Sequence, residues 1–407
     1  MAYSVVSVCL AALMVTISFA GPLRVIVDTD IGRDMDDSWA LAFMLGRPDL
    51  FDIVLILTAT FDTQGKAQIV AKNLDDIGRT DVPIGIGKST DYHPSGKLPG
   101  CRVGPMYPWA SSYNLSSYPG KLYDDGVAQM AYLIKSIPNI FIMELAPLTN
   151  LHSLRIRFPS IDTQRVRVFA MGGSVRRGYL DRPFVEPEYN IFTDVIAAKA
   201  MFNSTSNPLF KEARWSEFVD APLDTAGIIQ LYDIEYDALL YARNNGNRIL
   251  QTLFEAYRVW CKCPTNFVVS LDECNLVDSG CFQNHSIAIR PFNLENTSTT
   301  LFDVQPVMMA AALIPKSGLP SLQDMLVIEN VTLAVDDFCL TVPSYSSYGI
   351  GFNGGTVVSA AMTWVLPTPS KDGGLSLFKN AFVTSLISHD TDRKQNLGLN
   401  VDLQNVV

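Results

Sequence analysis

The feature that most constrains the fold is an alternation of short apolar runs with amphipathic stretches through the first half of the chain. The apolar runs lack the polar–apolar alternation of a half-exposed strand, so they predict strands that are buried on both faces. The runs are LRVIV (23–27), DIVLIL (52–57), VPIGIG (82–87), NIFIMEL (139–145) and RVRVFAMGG (165–173), and helices are predicted over 38–46, 66–78 and 123–136. This order predicts an α/β fold with a mainly parallel central sheet flanked by helices.

Two irregular stretches and the tail depart from that pattern. Residues 88–122 are rich in Pro, Gly, Ser and Tyr and predict a lid-like loop, whereas residues 261–300 form a cysteine-rich insertion. In the tail, LVIENVTLAV (326–335) and TVVSAAMTWV (356–365) predict added antiparallel strands, and a closing helix is predicted over 375–388. No internal repeat and no Pro/Ser-rich linker separates these parts, so we predict a single domain over 21–407.

The first twenty residues have the layout of a secretory signal peptide. An uncharged apolar stretch covers residues 4–19, and the small residues Ser18 and Ala20 lie three and one positions before Gly21. We therefore predict a signal peptide at 1–20, cleavage after Ala20 and a secreted protein with no membrane association after cleavage. The alternatives are an uncleaved anchor and residence in the lumen of the secretory or lysosomal system.

The cysteines and glycosylation sequons agree with export. An even number of cysteines remains after cleavage, which predicts up to three disulfides: Cys101, Cys261, Cys263, Cys274, Cys281 and Cys339. A zinc site is the alternative for the middle four, but their C-x-C spacing and the lack of a flanking His favour disulfides. Five N-x-S/T sequons predict a glycoprotein: Asn114, Asn203, Asn284, Asn296 and Asn330.

The overall charge excludes one class of partner. The 407-residue chain has a formal net charge of −10. Nucleic-acid binding requires clustered Lys and Arg to contact phosphates, so we predict no nucleic-acid partner.

The sequence VDTDIGRDMDD (27–37) places five carboxylates within ten positions, directly after the first predicted strand. Helix capping would account for one or two of them, and Arg33 for another. Gly32 predicts a sharp turn that folds the carboxylates toward one point. A hard divalent cation that accepts many oxygen ligands, such as calcium, is the natural counter-ion.

Several blocks of the chain resemble the nucleoside hydrolases, the inosine–uridine-preferring type of N-ribohydrolase. DTDIGRDMDDSWAL (28–41) resembles the N-terminal signature of that family. Later blocks follow in the family's order: TFDTQGKAQIVAKNLDDIGRTDVPIGIG (60–87), LAPLTNL (145–151), MGGS with PEYN (171–190), APLDT (221–225) and FDVQPVMMAA (302–311). The resemblance spans about residues 23–315, and it implies the Rossmann-like nucleoside hydrolase fold.

The resemblance implies a calcium-dependent hydrolysis of the N-glycosidic bond of ribonucleosides. Asp30 matches a calcium ligand that is also the general base, and Asp37 matches a second, bidentate ligand. Leu145 matches a position whose backbone carbonyl binds calcium, and Asp303 matches the last ligand. Asp28 belongs to the motif and is expected to support the metal site through hydrogen bonds. In this chemistry, a carboxylate deprotonates a metal-bound water that attacks the anomeric carbon.

The resemblance also implies which residues contact the nucleoside. Asp36 matches a carboxylate that takes a ribose hydroxyl, and Glu188 and Asn190 match groups that hold the sugar hydroxyls. Asp62 lies where some family members place a ribose contact. Phe302 replaces a histidine that protonates the leaving base in many members, and an aromatic ring there would stack on a purine base; a plain core phenylalanine is the alternative.

Three matters stay open at the level of sequence. His93 or a Tyr or Trp of residues 88–122 could supply the missing proton donor, and nothing in the sequence selects one. A further ribose-contacting Asn of the family aligns with Arg182, which puts that contact in doubt. The alternatives to an active hydrolase are a catalytically decayed nucleoside-binding relative and a DxD-type phosphatase.

The resemblance also suggests that the chain forms a homodimer or homotetramer.

Overall fold

The computed structural model describes residues 21–90, 104–203, 215–262, 268–270, 286–288, 296–336, 339–343, 356–368 and 372–396. The strands within these residues are β1 (Leu23–Thr29), β2 (Phe51–Thr58), β3 (Ile84–Ile86), β4 (Leu122–Tyr123), β5 (Phe141–Glu144), β6 (Arg167–Met171), β7 (Glu217–Ala221), β8 (Val268–Ser270), β9 (Ser286–Ala288), β10 (Leu326–Val335), β11 (Thr341–Pro343) and β12 (Thr356–Trp364).

The helices of the described residues alternate with these strands in the first half of the chain. They are α1 (Asp36–Gly46), α2 (Thr63–Ile77), α3 (Tyr107–Ala110), α4 (Gly126–Ser136), α5 (Thr149–Arg157), α6 (Tyr189–Thr193), α7 (Val195–Phe202), α8 (Leu223–Ala226), α9 (Asp233–Asn244), α10 (Arg248–Lys262), α11 (Val304–Ala311), α12 (Leu322–Met325) and α13 (Gly374–Asn396). Two single turns of 3₁₀ helix occur at Leu115–Ser117 and Tyr179–Asp181.

Ten of the described strands form one sheet, in the order β4-β3-β2-β1-β5-β6-β7-β12-β10-β11. The strands from β4 to β12 in this order pair in parallel, and β10 is antiparallel to both of its neighbours. The predicted α/β fold with a mainly parallel sheet and added antiparallel strands is therefore confirmed. Strands β2, β3 and β4 are added on one side of β1, whereas β5, β6 and β7 are added on its other side. The sheet therefore has a topological switch point between β1 and β5. In open parallel sheets, ligands bind at such a switch point.

Helices cover both faces of the sheet, as the unbroken apolar runs predict. On β1, Val25 and Val27 pack in one hydrophobic cluster, which also contains residues of α1, α2, α9, α10, α11 and α13. The residue between them, Ile26, packs on the other face in a cluster that contains residues of α4, α5 and α7. Successive side chains of a strand point to opposite faces, so burial of both faces requires an apolar residue at every position.

The tail strands are integrated into the main sheet. The predicted antiparallel pairing of 326–335 with 356–365 is observed as β10 against β12. In addition, β12 pairs in parallel with β7 through Ser359–Val219 and Ala360–Asp220. The tail therefore extends the sheet beyond β7.

Several predictions fall wholly or partly outside the described residues. These are the signal peptide at 1–20, His93, the sequon at Asn284, four of the six cysteines and most of the insertion 261–300. The disulfides stay a prediction. No helix within the described ranges is long and apolar enough to cross a membrane. Three sequon asparagines, Asn114, Asn296 and Asn330, are exposed, whereas the side chain of Asn203 exchanges two hydrogen bonds with the backbone of Val335.

Candidate active site

The predicted site residues gather at the carboxyl ends of the parallel strands, around the switch point between β1 and β5. The acidic segment follows β1, Asp62 follows β2 and Leu145 follows β5 directly. The backbone N–H of Leu145 donates to the carbonyl of Asp28 over 2.8 Å, which ties the two strand ends together. The site is therefore located where this type of sheet leaves an open crevice.

The turn between β1 and α1 depends on Gly32, as predicted. Its φ of 122° lies in a region that L side chains rarely adopt. A Cβ at this position would lie 3.0 Å from Ile69 Cδ1 and 3.1 Å from Tyr107 Cε2, so the backbone packs tightly against side chains of α2 and α3. The chain turns here and enters α1 at Asp36, which brings carboxylates from both sides of the turn together.

Three carboxylates form a compact buried group. Asp36, Asp37 and Asp303 each offer an oxygen, and these oxygens lie within 4.8 Å of one another. Burial raises the pKa of all three well above the usual range, and repulsion by the neighbouring carboxylates raises them further. The carboxylate of Asp303 makes no capping hydrogen bond to α11, so helix capping does not explain its position. A buried set of hard oxygen ligands with mutual repulsion fits a divalent cation such as calcium.

Asp30 contacts this group through Asp37. The two carboxyl groups are within hydrogen-bonding reach of each other, and the hydroxyl of Thr29 donates to Asp37. Burial raises the pKa of Asp30, and the nearby charges of Lys66 and Arg33 oppose this rise. Asp30 therefore lies at the edge of the carboxylate group, next to Asp37.

Asp28 lies at the end of β1 and is held by a hydrogen bond from Asn150. The Asn150 side chain donates to Asp28 Oδ1 over 2.8 Å and to the carbonyl of Thr58 over 3.1 Å. Asp28 also stands opposite Glu144 in the sheet register. Burial raises the pKa of Asp28 to about 8, and burial together with the charge of Asp28 raises that of Glu144.

The predicted sugar-binding residues belong to the segment that follows β6. Glu188 caps α6 by accepting from the backbone N–H groups of Asn190 and Ile191, and it also accepts from Gly173 N over 3.0 Å. The Asn190 side chain donates to the carbonyls of Met171, over 3.0 Å, and Leu145, over 3.4 Å. Asn190 thus contacts the backbone carbonyl that is predicted to bind calcium. Burial raises the pKa of Glu188 to about 7.

Asp62 and Phe302 flank this arrangement. Asp62 Oδ1 accepts from Gly65 N over 2.9 Å and caps α2, while its Oδ2 has no hydrogen-bond partner among the described residues. The half-buried ring of Phe302 meets the ring of Tyr179 edge-on, with centroids 5.9 Å apart. Asp62 therefore has a buried carboxylate oxygen without a hydrogen bond in the described part of the chain, and Phe302 is only partly enclosed by the core.

Arg182 is engaged within its own loop. Its guanidinium donates to the carbonyl of Tyr179 over 3.1 Å and pairs with Glu186 at 3.0 Å. The doubt about a ribose contact at this position therefore stands.

The structure adds residues that the sequence did not single out. Lys66 is buried beside the carboxylates, and Asn150 clamps Asp28. Tyr107, from the described part of the predicted lid, has its hydroxyl 3.4 Å from the carbonyl of Asp62, and the charges of Asp62 and Asp30 act on it. Asn150 lies in the LAPLTNL block and Lys66 in the block 60–87, but nothing in those blocks singled out either residue. No pattern distinguished Tyr107 from the other aromatic residues of its loop.

Comparisons with known proteins identify the class that this fold and site define. The sequence profile of the inosine-uridine preferring nucleoside hydrolases matches residues 25–282, which is more than half of the chain. The chain therefore belongs to the inosine-uridine preferring nucleoside hydrolase family, enzymes that act on N-glycosyl bonds.

Individual relatives are more distant. The chain is 28% identical over 249 residues to the non-specific ribonucleoside hydrolase RihC of Klebsiella pneumoniae subsp. pneumoniae, covering 58% of this chain and 72% of that protein. It is 27% identical over 247 residues to RihC of Salmonella agona, covering 58% of this chain and 72% of that protein.

Among solved structures, a plant nucleoside hydrolase, PpNRh1, superposes with a TM-score of 0.60 at 15% identity over 90% of this chain and 99% of its own. A purine-preferring ribonucleoside hydrolase from Gardnerella vaginalis gives 0.59 at 16% identity over 90% and 98%. These two likenesses show the fold.

Proposed function

We propose that the chain is a secreted, calcium-dependent hydrolase that cleaves ribonucleosides to a free base and ribose. The observation that carries this proposal is the group of Asp36, Asp37 and Asp303, whose oxygens lie within 4.8 Å of one another with Asp30 against Asp37. A bound calcium ion would supply an anchor for ribose hydroxyls and would lower the pKa of a water molecule. The carboxylates of Asp30, Asp37 and Asp303, with the Leu145 carbonyl, would hold it. Asp36, whose oxygen lies within 4.8 Å of oxygens of Asp37 and Asp303, would take a ribose hydroxyl.

The remaining residues have roles that follow from their positions. Asp30 accepts a proton from the attacking water, and the resulting hydroxide adds to the anomeric carbon as the N-glycosidic bond breaks. The bonding electrons leave with the base, whose nitrogen takes a proton from solvent. Glu188 and Asn190 hold the sugar hydroxyls. Positive charge develops on the ribosyl group in the transition state, and the surrounding carboxylates stabilise it. Phe302 stacks on the base, and this favours purine nucleosides.

Release of reducing sugar from inosine, adenosine, guanosine, uridine and cytidine tests the proposal. We expect turnover that is lost in EDTA and restored by calcium, and a loss of at least about a thousandfold in kcat for Asp30→Asn. Asp52→Asn is the matched control, because Asp52 lies at the opposite end of β2 and is exposed. Full activity in Asp30→Asn would contradict the assignment of the base.

Other outcomes would select the alternatives. Tight nucleoside binding without turnover by the calcium-loaded wild-type chain would indicate a catalytically decayed relative. Release of phosphate from nucleotides without release of ribose would indicate a phosphatase.

The location and assembly are proposed on the sequence alone. An N-terminus at Gly21 in protein recovered from the medium of secreting cells would support cleavage after Ala20, whereas an intact N-terminus in the membrane fraction would support an anchor. Light scattering during size-exclusion chromatography would test the proposed homodimer or homotetramer.

A further inference from the structure

Lys66 is a lysine that the fold encloses almost completely beside the acidic turn. It lies in the first turns of α2, and its side chain is 4% exposed. The ammonium group donates to the carbonyl of Ala59 over 2.8 Å and to the hydroxyl of Thr60 over 3.1 Å. Burial of a lysine without charged partners is costly, so its surroundings should show what offsets that cost.

The loop that holds the ammonium group is strained. Thr60 and Phe61 have φ values of 59° and 45°, in the left-handed region that is unfavourable for non-glycine residues. This loop is also joined to the end of β1, because Ala59 N donates to the carbonyl of Thr29 over 2.9 Å. The strained backbone thus directs two oxygen acceptors at Lys66 and fixes the ammonium group relative to the strand that carries the acidic turn.

The partners that offset the cost are the carboxylates of the proposed cation site. The charges of Asp30 and Asp37 are the two largest influences that favour the charged form of Lys66. In return, Lys66 is the largest influence that favours the charged form of Asp30. A second cation, Arg33, lies on the turn itself and stacks over the ring of Tyr189 at 4.6 Å. Lys66 differs from it by approaching the carboxylates from a separate, buried helix.

We propose that Lys66 is the built-in counter-ion of the acidic turn, which stabilises the carboxylate group when no divalent cation is bound and weakens the affinity for that cation when one binds. The proposal rests on the calcium site of the proposed function. Its physical reason is that a fixed positive charge attracts the carboxylates and repels a divalent cation held by the same carboxylates. The consequence is a site that keeps its geometry when empty and releases calcium more readily than its carboxylate content alone would allow.

Calcium titration of the full-length, EDTA-treated and dialysed chain by isothermal calorimetry tests the affinity. We expect Lys66→Met to tighten the calcium dissociation constant by at least about tenfold. The matched control is Lys72→Met, because Lys72 lies on the same helix and loses the same charge, but it pairs with Asp76 at 2.6 Å and is partly exposed. It should change the constant by less than about twofold. Unchanged or weaker calcium binding in Lys66→Met would overturn the proposal.

Thermal unfolding in EDTA separates this inference from the calcium site itself. Lys66→Met should lower the melting temperature by several degrees in the wild-type background and by less than half as much in an Asp37→Asn background. Equal losses in the two backgrounds would show a structural hydrogen-bonding role only and would also overturn the proposal. If Lys66→Met does not fold, Lys66→Gln replaces it in both measurements, because the amide can donate to Ala59 without carrying charge. If the wild-type chain binds no calcium, the calcium part of the proposed function fails, and the unfolding comparison decides the counter-ion role.

Discussion

Asp303 provides a direct test of the acidic group as a cation site, because its carboxylate makes no capping hydrogen bond to α11. Its oxygen lies within 4.8 Å of oxygens of both Asp36 and Asp37, and two unit charges at that separation repel by about 3.5 kcal/mol at an effective dielectric constant of about 20. Asp303→Asn keeps the shape of the side chain and removes two of the three pairwise repulsions. With all three groups ionised, the two removed repulsions together would amount to about 7 kcal/mol.

We expect Asp303→Asn to change stability in opposite directions with and without calcium. In EDTA at about pH 8, proton uptake already relieves part of the repulsion, so we expect a stabilisation of about 2–4 kcal/mol. An unfolding entropy of about 2.1 cal/mol/K per residue gives about 0.85 kcal/mol per degree for a chain of 407 residues, so the melting temperature should rise by about 2–5 °C. In saturating calcium, the variant lacks one charged ligand and should melt below the wild-type chain.

Differential scanning calorimetry in EDTA and in saturating calcium measures both changes on the same preparation. Asp52→Asn is again the control, since its carboxylate is exposed and 3.7 Å from Arg24. It should shift both transitions equally and slightly. A lower melting temperature of Asp303→Asn in EDTA would refute the reasoning, because it would show that this carboxylate stabilises the fold without a cation.

Three further predictions address neighbouring features. Asn150→Leu should destabilise the fold by about 2–5 kcal/mol in urea unfolding, because it leaves the buried Asp28 carboxylate without its donor; a loss below about 0.5 kcal/mol would contradict the clamp. Because burial raises the folded-state pKa of Glu188 from 4.5 to about 7, its stabilising contribution in EDTA should be present at low pH and be lost as the pH rises through about 7. For this group alone we expect about 2 kcal/mol between pH 5.5 and 8 by urea unfolding, and Glu188→Gln should lose that dependence. Phe302→Leu should lower kcat/KM for inosine by about tenfold and for uridine by less, and equal losses would argue against base stacking.

The parallel half of the sheet could be predicted because its strands have a pattern of their own. The runs at 23–27 and 52–57 match β1 and β2 within two residues at each end, and Gly78 ends α2 with a φ of 83° as a left-handed cap. The two-residue strand β4 was missed, since Leu122–Tyr123 is too short to carry a pattern. The parallel pairing of β12 with β7 was also not predicted, because it depends on how the tail docks and leaves no local signature.

The site was predictable to the extent that its residues are close in sequence. Gly32 and the carboxylates around it predicted a turn that concentrates negative charge, and the structure contains that turn. The participation of Asp303 rested on family resemblance, since α11 is distant in sequence from α1. Lys66 lies in an ordinary amphipathic helix pattern, and only the fold shows that its ammonium group points inward between strained backbone and carboxylates.

The sheet architecture both places the carboxylates at this site and raises the free energy of their ionised forms. The switch point provides a crevice because the connections of β1 and β5 leave the sheet on opposite faces, and carboxylates placed there are buried by the helices that cover both faces. Burial is what raises the free energy of ionised Asp36, Asp37 and Asp303, and it is also what makes their attraction for a divalent cation strong. A fold that concentrates the charge therefore needs either the cation or an internal substitute for part of it. The buried ammonium group of Lys66, held by hydrogen bonds to Ala59 and to the strained residue Thr60, meets that requirement from within the chain.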